Sequence, residues 1–134
     1  MAGYSGTPLT KKLGIKPESR VWAPGAPRSY RKLVAPLPAG AKIVSRATHE
    51  LDVIHFFTQS RRELASTLPG LIPRIKRDGA IWVSWPKKAS KVETDMSEDI
   101  IRTLALPLRL VDVKVCAVDE TWSGLKLVIR KQHR

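Results

Sequence analysis

Cysteine occurs once, at Cys116, so no internal disulfide can form and nothing points to an oxidising compartment. No run approaches the roughly 18–20 apolar residues that a membrane-crossing helix needs. The opening Met1-Ala2-Gly3-Tyr4-Ser5-Gly6-Thr7-Pro8 lacks the apolar core of a secretory signal. These absences make the cytoplasm the expected location and leave no role for a membrane. Histidine is scarce too. His49, His55 and His133 show no metal-ligand spacing and the lone cysteine adds none, so no metal is expected. Neither a G-x-S-x-G elbow nor a Ser-His-Asp order is present, and no catalytic residue stands out.

Acidic side chains are the other scarcity. The 134 residues hold 24 Lys and Arg against 12 Asp and Glu, a formal net charge of +12. The excess is uneven. Residues 1–48 carry 9 basic and 1 acidic residue, residues 49–90 carry 7 and 4, and residues 91–134 carry 8 and 7. The front of the chain therefore sets up a positive potential that attracts polyanions, phosphates or acidic protein surfaces. With 43% hydrophobic and 27% charged residues, the composition is that of a folded chain with a core of its own. The expected organisation is a basic N-terminal arm over 1–19, with Lys11, Lys12 and Lys16, followed by one domain over 20–134.

Hydrophobic patterning places the elements. Arg20 to Ala23 reads as a short buried strand closed by the turn Pro24-Gly25-Ala26-Pro27. Tyr30, Leu33, Val34 and Leu37 share one face of a helix expected over 29–37, and 41–45 reads as a second strand. Leu51 to Phe57 is a near-continuous apolar run, the pattern of a strand covered on both faces. Thr58-Gln59-Ser60 then caps a helix from Arg61, which Pro69-Gly70 and Pro73 should split in two. Asp78-Gly79 reads as a turn into the strand Ala80 to Pro86. Asp95 with Glu98 resembles a capping box for a helix that Pro107 ends. Leu110 to Val118 alternates with period two, and the turn 119–124 returns the chain through Leu125 to Arg130 as an antiparallel neighbour.

Strand and helix alternate up to that hairpin. The fold expected is α/β, a three-layer Rossmann-like domain with a mostly parallel sheet of about six strands ending in an antiparallel hairpin. It looks like a class I methyltransferase core shortened by one strand and its helix. That resemblance implies a strand order 2-1-3-4-6-5 and a ligand position outside the carboxyl ends of strands 1 and 3. Three segments resemble one family more narrowly: Gly3 to Leu9 with Lys11 to Pro17, then Trp82 to Lys88, then Val111 to Lys126. Together they resemble the bacterial domain-of-unknown-function family numbered three-zero-five-two. The resemblance spans essentially the whole chain and implies a small single-domain protein. It assigns no activity, cofactor or catalytic residue.

The residues bearing chemistry argue against an ordinary cofactor enzyme. A dinucleotide or S-adenosylmethionine cradle needs glycines that let backbone N–H groups approach the ligand. Here the turn has one glycine and two prolines, Pro24 and Pro27, each without an N–H. Ser45-Arg46 ends the second strand where an acid should hold ribose hydroxyls. No cofactor is expected on this ground. Trp85 before Pro86, with Lys87 and Lys88, forms a basic strand exit that either binds an anionic ligand or is a packed indole beside solvated cations. Trp82 is expected in the core. Asp119, Thr121 and Trp122 crowd one turn, either as a polar site or as side chains bonding local amides. The expectation is a non-catalytic binding module. It takes a phosphate-bearing small molecule or an acidic protein through Pro24, Gly25, Arg28, Ser84, Trp85, Lys87, Lys88, Asp119 and Trp122. The alternative is a small methyltransferase-like transferase with a degenerate cofactor turn, its reacting groups near Asp119, Trp122 or Ser84. A third reading is weak, sequence-independent nucleic-acid binding through Lys11, Lys12 and Lys16.

Overall fold

The computed structural model describes residues 7–134. Six strands form one sheet: β1 (Arg20–Trp22), β2 (Lys42–Val44), β3 (Leu51–Phe57), β4 (Ile75–Pro86), β5 (Leu110–Ala117) and β6 (Trp122–Ile129). Their order is β2-β1-β3-β4-β6-β5. Strands β1 to β4 pair in parallel, while β6 runs antiparallel to both β4 and β5. The architecture is the expected Rossmann-like one, in the expected order. From β1 the chain adds β2 on one side and β3 on the other, and this reversal of strand order between parallel neighbours creates the switch point.

Helices cover both faces. On one side α3 (Arg61–Leu71) and α4 (Glu98–Ala105) pack Leu64, Leu68, Leu71, Ile101 and Ala105 onto Ile54, Ile81, Leu125 and Leu127. On the other, α1 (Leu9–Leu13) and α2 (Tyr30–Leu33) pack Leu9, Leu13 and Tyr30 onto Val53, Phe57 and Trp82. Leu9, Leu13 and Ile15 are buried, so this part of the basic arm lies against the sheet. The Gly3 to Gly6 part of the family-like opening lies outside the described residues. No helix among the described residues is long and apolar enough to cross a membrane.

Several boundaries differ from the sequence expectation, each for a physical reason. Helix α2 stops at Leu33 because Pro36 disfavours helical geometry at Ala35 before it. Helix α3 runs unbroken through Pro69, continuing as a short 3-10 turn over Ile72–Arg74. Pro69 and Gly70 are both exposed, so the freed carbonyl faces solvent while Leu68 and Leu71 hold the helix to the core. Strand β4 begins at Ile75, four residues before Gly79, and Asp78-Gly79 lies inside it as an irregularity between Leu51↔Ile75 and Val53↔Ala80. A Cβ on Gly79 would stand 3.1 Å from each of the Leu51, Asp52 and Lys76 carbonyl oxygens. Glycine is there for close backbone approach in a bulge, not for a turn. In β5, a second irregularity between Asp112 and Lys114 interrupts the simple alternation of Val111, Val113 and Val115.

Candidate functional site

The carboxyl ends of β1 and β3 meet around Gly25. Its φ is +76°, and a Cβ there would stand 2.5 Å from the Phe57 carbonyl oxygen, so only glycine fits. The Phe57 N–H donates to the Pro24 carbonyl at 3.0 Å, stitching the turn to the end of β3. Two cavities open on either side. One, of about 310 Å³, lies between the β1 turn and the end of β2, with Pro24, Arg28, Tyr30, Arg31 and Ser45 in its wall. The other, of about 510 Å³, is lined by Gly25, Phe57, Thr58, Gln59, Glu63 and Trp122. Both fall within the size range of small-ligand sites.

The second cavity has a polar floor and an aromatic wall. Thr58 donates through its hydroxyl to the Glu63 carboxylate and accepts the Ser60 N–H at 3.1 Å. The Thr58 N–H itself donates to the Ser84 carbonyl at 3.0 Å, tying the β3 exit to β4. Ser60 caps α3 by accepting the Glu63 N–H at 3.1 Å, as its position before the helix implies. Trp122 stands edge-on to Phe57, with ring centroids 5.1 Å apart and planes at 83°. Asp119 accepts the Thr121 and Trp122 N–H groups, each at 2.8 Å, which is the local-amide role the sequence pattern allows.

Beneath these cavities runs a buried polar chain. His55 Nδ1 lies 2.9 Å from the Tyr30 hydroxyl and His55 Nε2 lies 2.7 Å from Ser84 Oγ. Either neutral imidazole tautomer satisfies both contacts, one nitrogen donating and the other accepting. His55 and Ser84 are fully buried and Tyr30 is nearly so. Burial pulls the His55 pKa down to about 3 and pushes the Tyr30 phenol up, so both stay neutral. The Ser84–His55 pair has the separation of a nucleophile and its base, but no substrate can reach a side chain with no exposure. His55 is a satisfied core histidine.

The structure separates the residues that sequence grouped. Pro24 and Arg28 line the first cavity and Gly25 and Trp122 the second, while Trp85 and Lys88 line a third, of about 510 Å³, with Lys91, Glu93 and Met96. Trp85 is buried against the α3–α4 side of the core, and Lys87 is half-buried with its N–H donating to the Thr121 carbonyl at 2.8 Å. The Trp85 to Lys88 exit therefore does not share a cleft with Pro24-Gly25. Trp82, fully buried, donates its indole N–H to the Leu13 carbonyl at 3.0 Å. Sequence reasoning passed over Tyr30, Phe57, Thr58 and Glu63. The available signal was position: Phe57-Thr58 closes the strand on the far side of the switch point, where ligands of such sheets bind.

Comparison with solved structures places this arrangement among methyltransferase folds. A SAM-dependent methyltransferase from Aquifex aeolicus superposes with a TM-score of 0.62 at 14% identity, over 91% of this chain and 88% of the other. A ribosomal protein L11 methylase from Lactobacillus delbrueckii subsp. bulgaricus gives 0.58 at 13% identity, over 90% and 74%. An S-adenosylmethionine-dependent methyltransferase from Clostridium acetobutylicum gives 0.58 at 7% identity, over 90% and 87%. At such identities the likeness establishes the fold. No family model matches the chain, and no curated protein matches its sequence.

These findings correct the expectation of a non-catalytic binding module that takes a phosphate-bearing ligand or acidic partner at a basic strand-end edge. Several of the solved structures that share this fold are methyltransferases, so the fold stands closer to the transferase alternative than to that expectation. The physical reason for the misreading is that Trp85, the intended stacking platform, is spent on the core.

Proposed function

We propose that this chain is a small transferase of the methyltransferase type, working at the switch point in the two cavities that flank Gly25. The observation that carries the reading is the sheet order β2-β1-β3-β4-β6-β5 with both cavities at the carboxyl ends of β1 and β3. The similarity of the fold to SAM-dependent methyltransferases supports it. The resemblance of the three sequence segments supports membership of the bacterial family numbered three-zero-five-two, and the single cysteine suits a cytoplasmic setting.

S-adenosylmethionine does not fit these residues in a glycine cradle. The close approach that Gly25 permits is taken by the chain's own Phe57 carbonyl, and Pro24 and Pro27 offer no N–H groups. No carboxylate lines the first cavity, where Arg28 and Arg31 stand instead, a poor setting for a sulfonium cation. What the chain supplies at the site is cations and the Ser45 hydroxyl on one side of Gly25. On the other side it supplies the Thr58–Glu63 pair and the Phe57–Trp122 wall. The Phe57–Trp122 edge and the stitched turn give the Gly25 side a fixed wall, and the Thr58–Glu63 pair faces it across the second cavity.

Calorimetric titration with S-adenosylmethionine and S-adenosylhomocysteine, with thermal shift alongside, tests the reading. The expected result is saturable heat and a raised Tm. Gln59→Trp should abolish the heat, because from an exposed position it fills the second cavity, where Glu63 supplies the carboxylate that the first lacks, without disturbing the core. Absence of heat and of thermal shift at millimolar ligand would overturn the proposal.

A further inference from the structure

The cover that α1 and α2 provide is incomplete. Helix α1 has five residues and ends at Gly14, over Trp82. Beyond it, on the same face, Lys114 of the edge strand β5 is exposed, and Val111 and Cys116 are half-buried. One row crosses the sheet at this level: His55 pairs with Trp82, Trp82 with Lys126, and Lys126 with Lys114. The row passes from a fully buried imidazole to an exposed ammonium within four strands.

Lys126 and Lys114 are direct cross-strand partners, and like charges placed opposite one another destabilise a sheet. Lys126 Nζ lies 3.9 Å from the position of a Cβ on Gly14, so its ammonium is drawn in beside the end of α1. Lys16, exposed and two residues past Gly14, extends the row toward the chain's basic front. Among the described residues, no carboxylate pairs with Lys16, Lys114 or Lys126. Burial first, then the charges of Lys114 and Lys16, hold the Lys126 ammonium below its ordinary value. Lys12 also reaches this face, acting with Lys114 on the Cys116 thiol.

We propose that this face is a nucleic-acid-binding surface, on which Lys12, Lys16, Lys114 and Lys126 neutralise successive phosphates of a polynucleotide backbone. A polyanion relieves a repulsion among Lys16, Lys114 and Lys126 that no carboxylate among the described residues relieves. Lysine is depleted in protein–protein interfaces, whereas point charges on a backbone are what sequence-independent phosphate contact needs. The surface extends the basic arm, whose lysines act together with two from the far end of the chain. It stands apart from the transferase reading, because none of the four lysines lines the cavities at Gly25.

Fluorescence anisotropy of the full chain with a labelled oligouridylate, across a salt series, tests it. Lys16→Glu with Lys114→Glu changes only exposed side chains and should weaken binding roughly tenfold. It should also flatten the slope of log K against log salt by about 1.4, roughly 0.7 per phosphate contact on a single strand. The charge-matched pair Arg62→Glu with Arg77→Glu, both exposed and outside this face, should leave binding within about twofold and the slope unchanged. Equal weakening by the two pairs would reduce the effect to net charge, and unchanged affinity in K16E/K114E would show that these lysines make no phosphate contact; either would overturn the assignment. Tighter retention of polyglutamate than of oligouridylate would overturn it in favour of an acidic protein partner.

Discussion

His55 interrupts the apolar strand β3, and its tolerance there rests on two hydrogen bonds and on staying neutral. A buried polar group without partners costs more than the bond it loses, so Tyr30 and Ser84 are as necessary as the imidazole. The pH consequence follows from linkage. The folded pKa is about 3 against an ordinary 6.5, so between those values the unfolded chain binds the proton and the folded chain does not. Stability is therefore lost as pH falls from 6.5 toward 3, and it is fully present above that window. At about pH 4.5 the loss attributable to His55 should be about 2–3 kcal/mol, at about 1.4 kcal/mol per unit. Urea denaturation of wild type and His55→Gln at about pH 4.5 and about pH 7.5 checks this. The variant should be less stable at neutral pH but should lose less on acidification. An equal acid loss in both would show that His55 does not titrate as its burial requires.

At the scale of elements, helix caps separate what sequence shows from what it hides. Asp95 stands three residues before Glu98 and mimics a capping box, yet Ser97 caps α4, its hydroxyl accepting the Ile100 N–H at 3.2 Å. Asp95 accepts the Arg61 N–H at 2.7 Å and so serves the start of α3 instead. Both carboxylate and hydroxyl are good caps, and only the tertiary path of residues 91–97 decides between them. Ser97→Ala should thus cost about 1 kcal/mol in a urea melt through loss of the α4 cap, within the usual range of 0.5–2. Asp95→Ala should act on α3, read as faster amide exchange in its first turn with α4 unchanged. The same division runs through the chain. Periodicity was enough to locate the strands, because runs such as Leu51 to Phe57 and Leu125 to Ile129 carry the pattern locally, whereas their order followed only from the likeness to a methyltransferase core. The bulge at Gly79, the helix running through Pro69 and the burial of Trp85 were hidden, because each is decided by a neighbour distant in sequence. The site was only partly legible for that reason. The Pro24-Gly25 turn announced itself by composition, whereas Thr58 read as part of the cap of a helix and Glu63 carried no signal, and both acquire a meaning only beside Trp122.

For the whole molecule, the basic segment before β1 has two roles that cannot be separated by deletion. Leu9, Leu13 and Ile15 are buried in the α1–α2 side of the core, and the Leu13 carbonyl is the partner of the fully buried Trp82 indole. Burying an aliphatic side chain of this size contributes about 1.5–3 kcal/mol, so three approach the total stability of a small domain, about 5–15 kcal/mol. Removing residues 1–16 should therefore abolish a cooperative melt and shift tryptophan emission to the red. Leu13→Ala alone should cost about 2–5 kcal/mol and keep a cooperative but earlier transition. A truncated chain that melts cooperatively near the wild-type Tm would show that the sheet is stable without α1. The arrangement also explains why lysines, rather than a further helix, finish this face. With α1 so short, one face of β5 and β6 is left uncovered, and Lys114 on the edge strand β5 adds a charge that keeps that edge from pairing with another sheet while leaving the face open to a polyanion.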